Sequence, residues 1–186
     1  MNKSILLSIR PEWVSKILTH KKTIEVRKQF PKDYKGWVYI YCTKSANKKY
    51  EYLYRGNKVD GKVVARFWCD KVGEIKRHNA YSLCTIGYHT FVDRFYSDAD
   101  LQKASCLNGN ELMWYLKGEE DNEIVGYAIY ISKLEIFDKP RELREFYTAK
   151  PNDINEYFTD EKKVNGKWVR PIKKTPQNYY YIEGEE

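Results

Sequence analysis

Residues 22–27, Lys-Thr-Ile-Glu-Val-Arg, place an amine, a hydroxyl, a carboxylate and a guanidinium within a single short run. If the run is extended, side chains alternate between faces. Thr23, Glu25 and Arg27 then share one face and Ile24 and Val26 the other, with Lys22 at the edge. A carboxylate accepts from a ring amine, while Arg or Lys meets a carbonyl or a phosphate. Lys22 and Glu25 are also the pair that would carry catalysis. A desolvated lysine serves as base or nucleophile, whereas one paired with Glu25 stays charged and binds. The adjacent carboxylate tilts the balance toward binding.

These groups need strands to hold them. Residues 4–10 (SILLSIR) read as a first strand. Pro11 and Glu12 suit a helix start, and Trp13, Val14, Ile17 and Leu18 recur at helical spacing through residues 11–21. Residues 23–30 and 37–43 (WVYIYCT) read as the next strands, with Pro31, Asp33 and Gly36 marking a turn. Residues 61–72 and 126–137 are further single strands, with Pro140 as a breaker and a helical turn over 141–146. Short helices are expected over 98–104 and 110–116, capped by Asp98 and by Asn108 or Asn110. The rest of 74–125 and residues 150–174 have no strong period. Residues 179–182 (YYYI) form a last strand. One early helix among mostly consecutive strands predicts an α+β fold with a partly closed barrel. We expect one domain over 1–186, with an irregular insertion near 78–122 and an extended C-terminal segment, 147–186.

If the first three strands are neighbours, their polar or aromatic faces gather Ser8, Arg10, Glu25, Arg27, Tyr39 and Tyr41, with Lys22 beside them. Tyr39 or Tyr41 would stack on a heterocycle. The alternative is that this face is the solvated side of the sheet.

The formal net charge of +7 and 16% aromatic content, with 17 Tyr, favour an anionic and stackable partner. Lys44, Lys48, Lys49, Arg55 and Lys58, interleaved with Tyr50, Tyr52 and Tyr54, read as either a phosphate-tracking hairpin or a solvated loop. Residues 162–174 read as a solvated segment able to add phosphate contacts. His20, His78 and His89 show no ligand spacing. Cys42, Cys69, Cys84 and Cys106 contain no CxxC pair, so no metal site and no cofactor is expected. P-loop, dinucleotide and nucleophile-elbow signatures are missing from the sequence. With no signal-like or membrane-spanning run, the protein reads as cytoplasmic, with reduced thiols and no membrane partner.

Residues 20–27 (HKKTIEVR) resemble the GxKxxExR motif of the ASCH family, within the PUA-like superfamily, with His20 in the place of the motif's glycine. Residues 133–146 (KLEIFDKPRELREF) and 175–183 (TPQNYYYIE) also look like phage- and prophage-type members. The resemblance implies an α+β, PUA-like β-barrel with flanking helices. It also implies binding of RNA, or of a nucleotide or modified nucleoside, at Lys22, Glu25 and Arg27. Gln177, Tyr179, Tyr180 and Tyr181 would rim such a pocket. Some ASCH proteins are amidohydrolases acting on N4-acetylcytidine through a Lys, a hydroxyl residue of this segment and a Glu elsewhere. Here Lys22 matches the lysine, Glu25 replaces the hydroxyl residue, Thr23 is two positions early, and Glu74 is a candidate distal carboxylate. Ribonuclease activity and a phage protein-interaction module are further expectations of the resemblance.

Overall fold

The computed structural model describes residues 3–44, 53–54, 56–79, 82–87, 98–116, 124–149, 162–164 and 166–183. In chain order the strands are β1 (Ser4–Ile9), β2 (Ile24–Arg27), β3 (Gly36–Cys42), β4 (Leu53–Tyr54), β5 (Asn57–Lys58), β6 (Lys62–Cys69) and β7 (Val72–Asn79). They continue with β8 (Ser82–Gly87), β9 (Ile124–Tyr130), β10 (Ser132–Glu142), β11 (Tyr147–Ala149), β12 (Lys162–Val164), β13 (Lys167–Pro171) and β14 (Tyr179–Ile182). The helices are α1 (Pro11–Leu18), α2 (Asp98–Ser105) and α3 (Gly109–Leu116), and Leu143–Glu145 form a 3-10 turn. This is the expected α+β class. Among the described residues the sheets are open, not closed into the expected barrel.

The chain divides into two compact units, Met1–Ser15 with Gly36–Phe67 and Leu134–Glu186, and Lys16–Lys35 with Trp68–Lys133. The first unit is built on a sheet of order β10-β6-β3-β1-β14. β1 runs parallel to β3, with Leu6 opposite Tyr39 and Ser8 opposite Tyr41, and antiparallel to β14. Every residue of β1 is buried, as expected for a strand covered on both faces. The face expected to be polar or open is instead a core. Leu6, Tyr39, Tyr41, Val63, Phe146, Ile172 and Ile182 pack there, with Trp37, Phe137 and Leu143 against them. A second sheet of order β11-β13-β12 extends this unit.

The second unit is an antiparallel sheet of order β2-β9-β7-β8 with α2 and α3. Ile24 and Val26 of β2 pack with Ile75, Leu101, Leu112, Leu116, Val125 and Ala128. One face of the strand is therefore core, as alternation required. The capping of α3 follows the sequence. The Glu111 N–H donates to Asn108 Oδ1 (2.9 Å), and the Asn108 N–H donates to Glu111 Oε2 (2.8 Å), a capping box.

Other expectations change as well. β2 pairs with β9, not with β1 or β3. The strand expected over 61–72 is two strands, β6 and the start of β7, and that over 126–137 divides at Ile131 into β9 and β10. Pro140 does not break β10, which continues to Glu142; among the described residues β10 is an edge strand, the place in a sheet where Pro is tolerated. The aperiodic regions contain β8 and the β12–β13 hairpin. Most of the basic–aromatic stretch over 44–58, and His89, lie outside the described residues.

Candidate functional site

The site is built where the end of α1 turns into β2. His20 has φ of 57°, the left-handed conformation that the glycine of the resembling motif would adopt without strain. The His20 N–H donates to the Ile17 carbonyl (2.9 Å), and the Lys21 N–H donates to the Lys16 carbonyl (2.9 Å). These two bonds close the helix as a Schellman motif, with His20 as the left-handed residue just past the end. The turn that aims Lys22 is thus the helix stop itself.

Lys22 then meets the end of a second helix. Its Nζ donates to the Ser105 carbonyl at 2.6 Å, and the Thr23 N–H donates to the Ala104 carbonyl at 2.9 Å. Both acceptors are terminal carbonyls of α2, which lack partners within their own helix. The negative end of the helix dipole also favours the ammonium. Cys106, with φ of 55°, turns the chain just after this point.

Glu25 lies between two cations. Its Oε2 is 3.3 Å from Lys22 Nζ, and its Oε1 is 3.1 Å from Arg27 Nη2. The side chains of Lys22 and Glu25 are 2% and 6% exposed, and that of Arg27 is 15% exposed. Among the described residues Glu25 Oε2 accepts no aligned hydrogen bond. Burial pushes the Lys22 ammonium below its ordinary pKa, although the charges of Glu25 and Cys106 oppose the shift.

The β2 alternation holds, and pairing extends it across the sheet. Arg27 is the register partner of Tyr127, and Tyr127 is also the partner of Glu74. Direct partners in an antiparallel pair project to the same side. Arg27, Tyr127 and Glu74 therefore form one row on the face that also carries Glu25. Glu74, a candidate distal carboxylate in the sequence, is on this face. Tyr127 was not singled out in the sequence, because it lies in a run that reads only as strand.

The remaining candidates, Ser8, Arg10, Tyr39 and Tyr41, belong to the first unit. The Ser8 hydroxyl donates to the Pro176 carbonyl (2.9 Å). Tyr39 packs edge-on against Phe146 (5.3 Å) and accepts from Arg66 Nη1 (3.1 Å). Tyr41 is buried and Arg10 is exposed. Among the described residues β2 belongs to one sheet and β1 and β3 to another. Sequence reasoning also missed the Ser105 carbonyl, which is a backbone group on a distant helix.

Among the described residues no group of three His, Cys, Asp or Glu side chains is placed to hold a metal ion. Among the same residues no helix is long and apolar enough to cross a membrane. No protein-family model and no curated protein matches the chain. Solved structures do. A crystal structure of a point variant of ASCH from Zymomonas mobilis is 15% identical with a TM-score of 0.52, covering 98% of this chain and 89% of that one. A second variant of the same protein, also 15% identical, gives a TM-score of 0.50 over 76% of this chain and 77% of that one. At this identity the likeness concerns the fold, and the chain shares the α+β fold of an ASCH protein.

Proposed function

We propose that this chain is an ASCH-like protein that binds RNA or a nucleotide, reading a base with Lys22, Glu25 and Arg27. The observation that carries this reading is the buried Glu25 carboxylate, held between two cations with Oε2 accepting no aligned hydrogen bond. A buried acceptor of this kind gains from a donor such as a ring amine. Arg27, the most exposed of the three, supplies the contact to a carbonyl or phosphate. The shared fold with an ASCH protein agrees with the motif over residues 20–27. A purely structural ion triad would use the same three residues, and experiment separates the two. Equilibrium binding to each ribonucleotide and to short RNAs is measured for wild type and Glu25→Gln. Base-dependent affinity that Glu25→Gln flattens supports the reading. Affinity that is equal for all bases, or unchanged in the variant, overturns it.

A second reading, nucleoside deacylation, is favoured by one observation: Glu74 and Tyr127 share the sheet face of Glu25 and Arg27. In that reading uncharged Lys22, made less basic by burial, removes a proton from the water that adds to the acyl carbon, and the Lys22 ammonium returns that proton to the departing amine as the C–N bond breaks and acetate leaves, with Glu74 orienting the water. Incubation with N4-acetylcytidine tests it. Acetate release lost in both Lys22→Ala and Glu74→Gln supports deacylation, and no release by the wild type overturns it.

A further inference from the structure

The segment between Glu161 and Glu183 carries nearly all of the chain's excess positive charge. Residues 162–182 contain Lys162, Lys163, Lys167, Arg170, Lys173 and Lys174 and no Asp or Glu, so they supply six of the formal net +7. The same stretch contains Trp168, Tyr179, Tyr180 and Tyr181.

The fold sorts these residues onto faces. In the β11-β13-β12 sheet, Val169 is fully buried and the next turn buries Ile172. Alternation then turns Trp168 and Arg170 to the opposite face. There Lys163 is the register partner of Trp168, and Thr148 is the partner of Arg170. The result is an indole flanked by an ammonium across the hairpin and a guanidinium two residues along the strand. Trp168 is 58% exposed, and Lys163 is exposed as well. The strip continues toward β14, where the Thr148 hydroxyl donates to the Tyr181 carbonyl at 3.1 Å. Tyr180 and Tyr181 are 38% and 42% exposed.

We propose that this face is a docking strip for single-stranded RNA, with Trp168 stacking on a base and Lys163 and Arg170 meeting the phosphates beside it. An extended strand face that alternates an exposed ring with cations is complementary to a chain that alternates bases with phosphates. Among the described residues the row around Trp168 offers Lys163, Arg170 and Thr148, a poor match for an acyl-chain surface. The proposal rests on the reading above only for the choice of RNA as the polyanion. None of its residues belongs to the Lys22 site.

The test uses the full chain and a labelled single-stranded RNA of roughly 12 nucleotides, within the site size of a small single-strand module. Fluorescence anisotropy is read for wild type, Trp168→Ala, Trp168→Phe and the double variant Lys163→Ala/Arg170→Ala. Trp168→Ala is expected to weaken binding by about 5- to 150-fold, the range for loss of one stacked base, with Trp168→Phe recovering part of it. The double variant is expected to lower the slope of log affinity against log salt by about 1.4. Matching melting curves show that the exposed substitutions leave the fold intact. Trp168→Ala binding within twofold of wild type overturns the proposal. So does capture by phosphatidylserine vesicles without any RNA binding. Loss of base choice in Glu25→Gln with the Trp168 effect retained would leave the strip standing as a separate contact. Loss of the Trp168 effect with base choice retained would remove the strip and leave the Lys22 site.

Discussion

Lys22 Nζ donates to the Ser105 carbonyl at 2.6 Å, a contact between residues 83 positions apart. It joins the charged run Lys22–Arg27 to the end of α2, more than eighty residues away in the chain. The same ammonium touches Glu25, which also holds Arg27. The motif is therefore an ion cluster anchored on a helix end, and its members cannot be altered independently.

Removing the carboxylate should cost more than removing either cation. Glu25→Ala leaves the buried Lys22 ammonium and the partly buried Arg27 guanidinium without their shared carboxylate, and a loss of about 3–5 kcal/mol is expected. Lys22→Met leaves Glu25 paired with Arg27 but strands the Ser105 carbonyl, so a smaller loss, about 1–3 kcal/mol, is expected. Urea titrations of both variants and of the double variant give the coupling. Additive losses would show that the cluster is not a unit.

The depressed Lys22 pKa makes stability depend on pH. Its native pKa lies below the ordinary 10.5, so the unfolded chain binds more protons between the native value and 10.5. Stability then rises with pH across that window. The stability difference between wild type and Lys22→Met should move in favour of the wild type as pH rises toward 10.5. Paired unfolding curves across alkaline pH check this, and a flat difference contradicts it.

The buried thiols act in the opposite direction. Burial pushes Cys42 and Cys69 from 9.0 up to about 12. The native state holds these protons longer than the unfolded state, so their contribution is complete below pH 9 and is lost as pH climbs toward 12. At pH 8 both thiols should resist iodoacetamide in the native protein, while the partly exposed Cys106 is alkylated. Peptide mass mapping before and after denaturation reads the order of labelling.

Gly126 is required by the approach of β2. A Cβ there would stand 2.8 Å from the Arg27 carbonyl oxygen and 2.6 Å from Leu116 Cδ2. Gly126→Ala should destabilise by about 1–3 kcal/mol, through overpacking against a backbone that cannot yield cheaply. It should also disturb Arg27, so binding weakens along with the melting temperature. A melt unchanged from wild type would show that the strands can separate at no cost.

His20 carries the cost of a left-handed turn. His20→Val should lose about 1–2 kcal/mol, because a β-branched side chain tolerates φ of 57° poorly. His20→Gly should stay within about 1 kcal/mol of wild type, since relief of strain is offset by a freer unfolded chain. Chemical denaturation of the two variants tests the ordering, and equal losses would remove the turn as the explanation.

The sequence by itself determined what depends on neighbours along the chain. Alternation placed Ile24 and Val26 in a core and Glu25 and Arg27 on the other face, because a strand's period of two is local. Asn108, one of the two cap candidates for α3 in the sequence, is the cap in the structure, because a cap is complete within one helical turn. The resemblance over residues 20–27 implied an α+β fold, and the chain shares the α+β fold of an ASCH protein. Only the tertiary structure decided which strands are neighbours. The period that sets faces is silent about partners, so a sheet joining β1, β2 and β3 and one joining β2, β9 and β7 are equally consistent with it. That choice buried Tyr39 and Tyr41 in one unit and brought Tyr127 and Glu74 alongside Arg27 in the other. The Ser105 carbonyl was beyond any reading of the sequence, since every residue has a carbonyl and only the folded chain brings this one to Lys22.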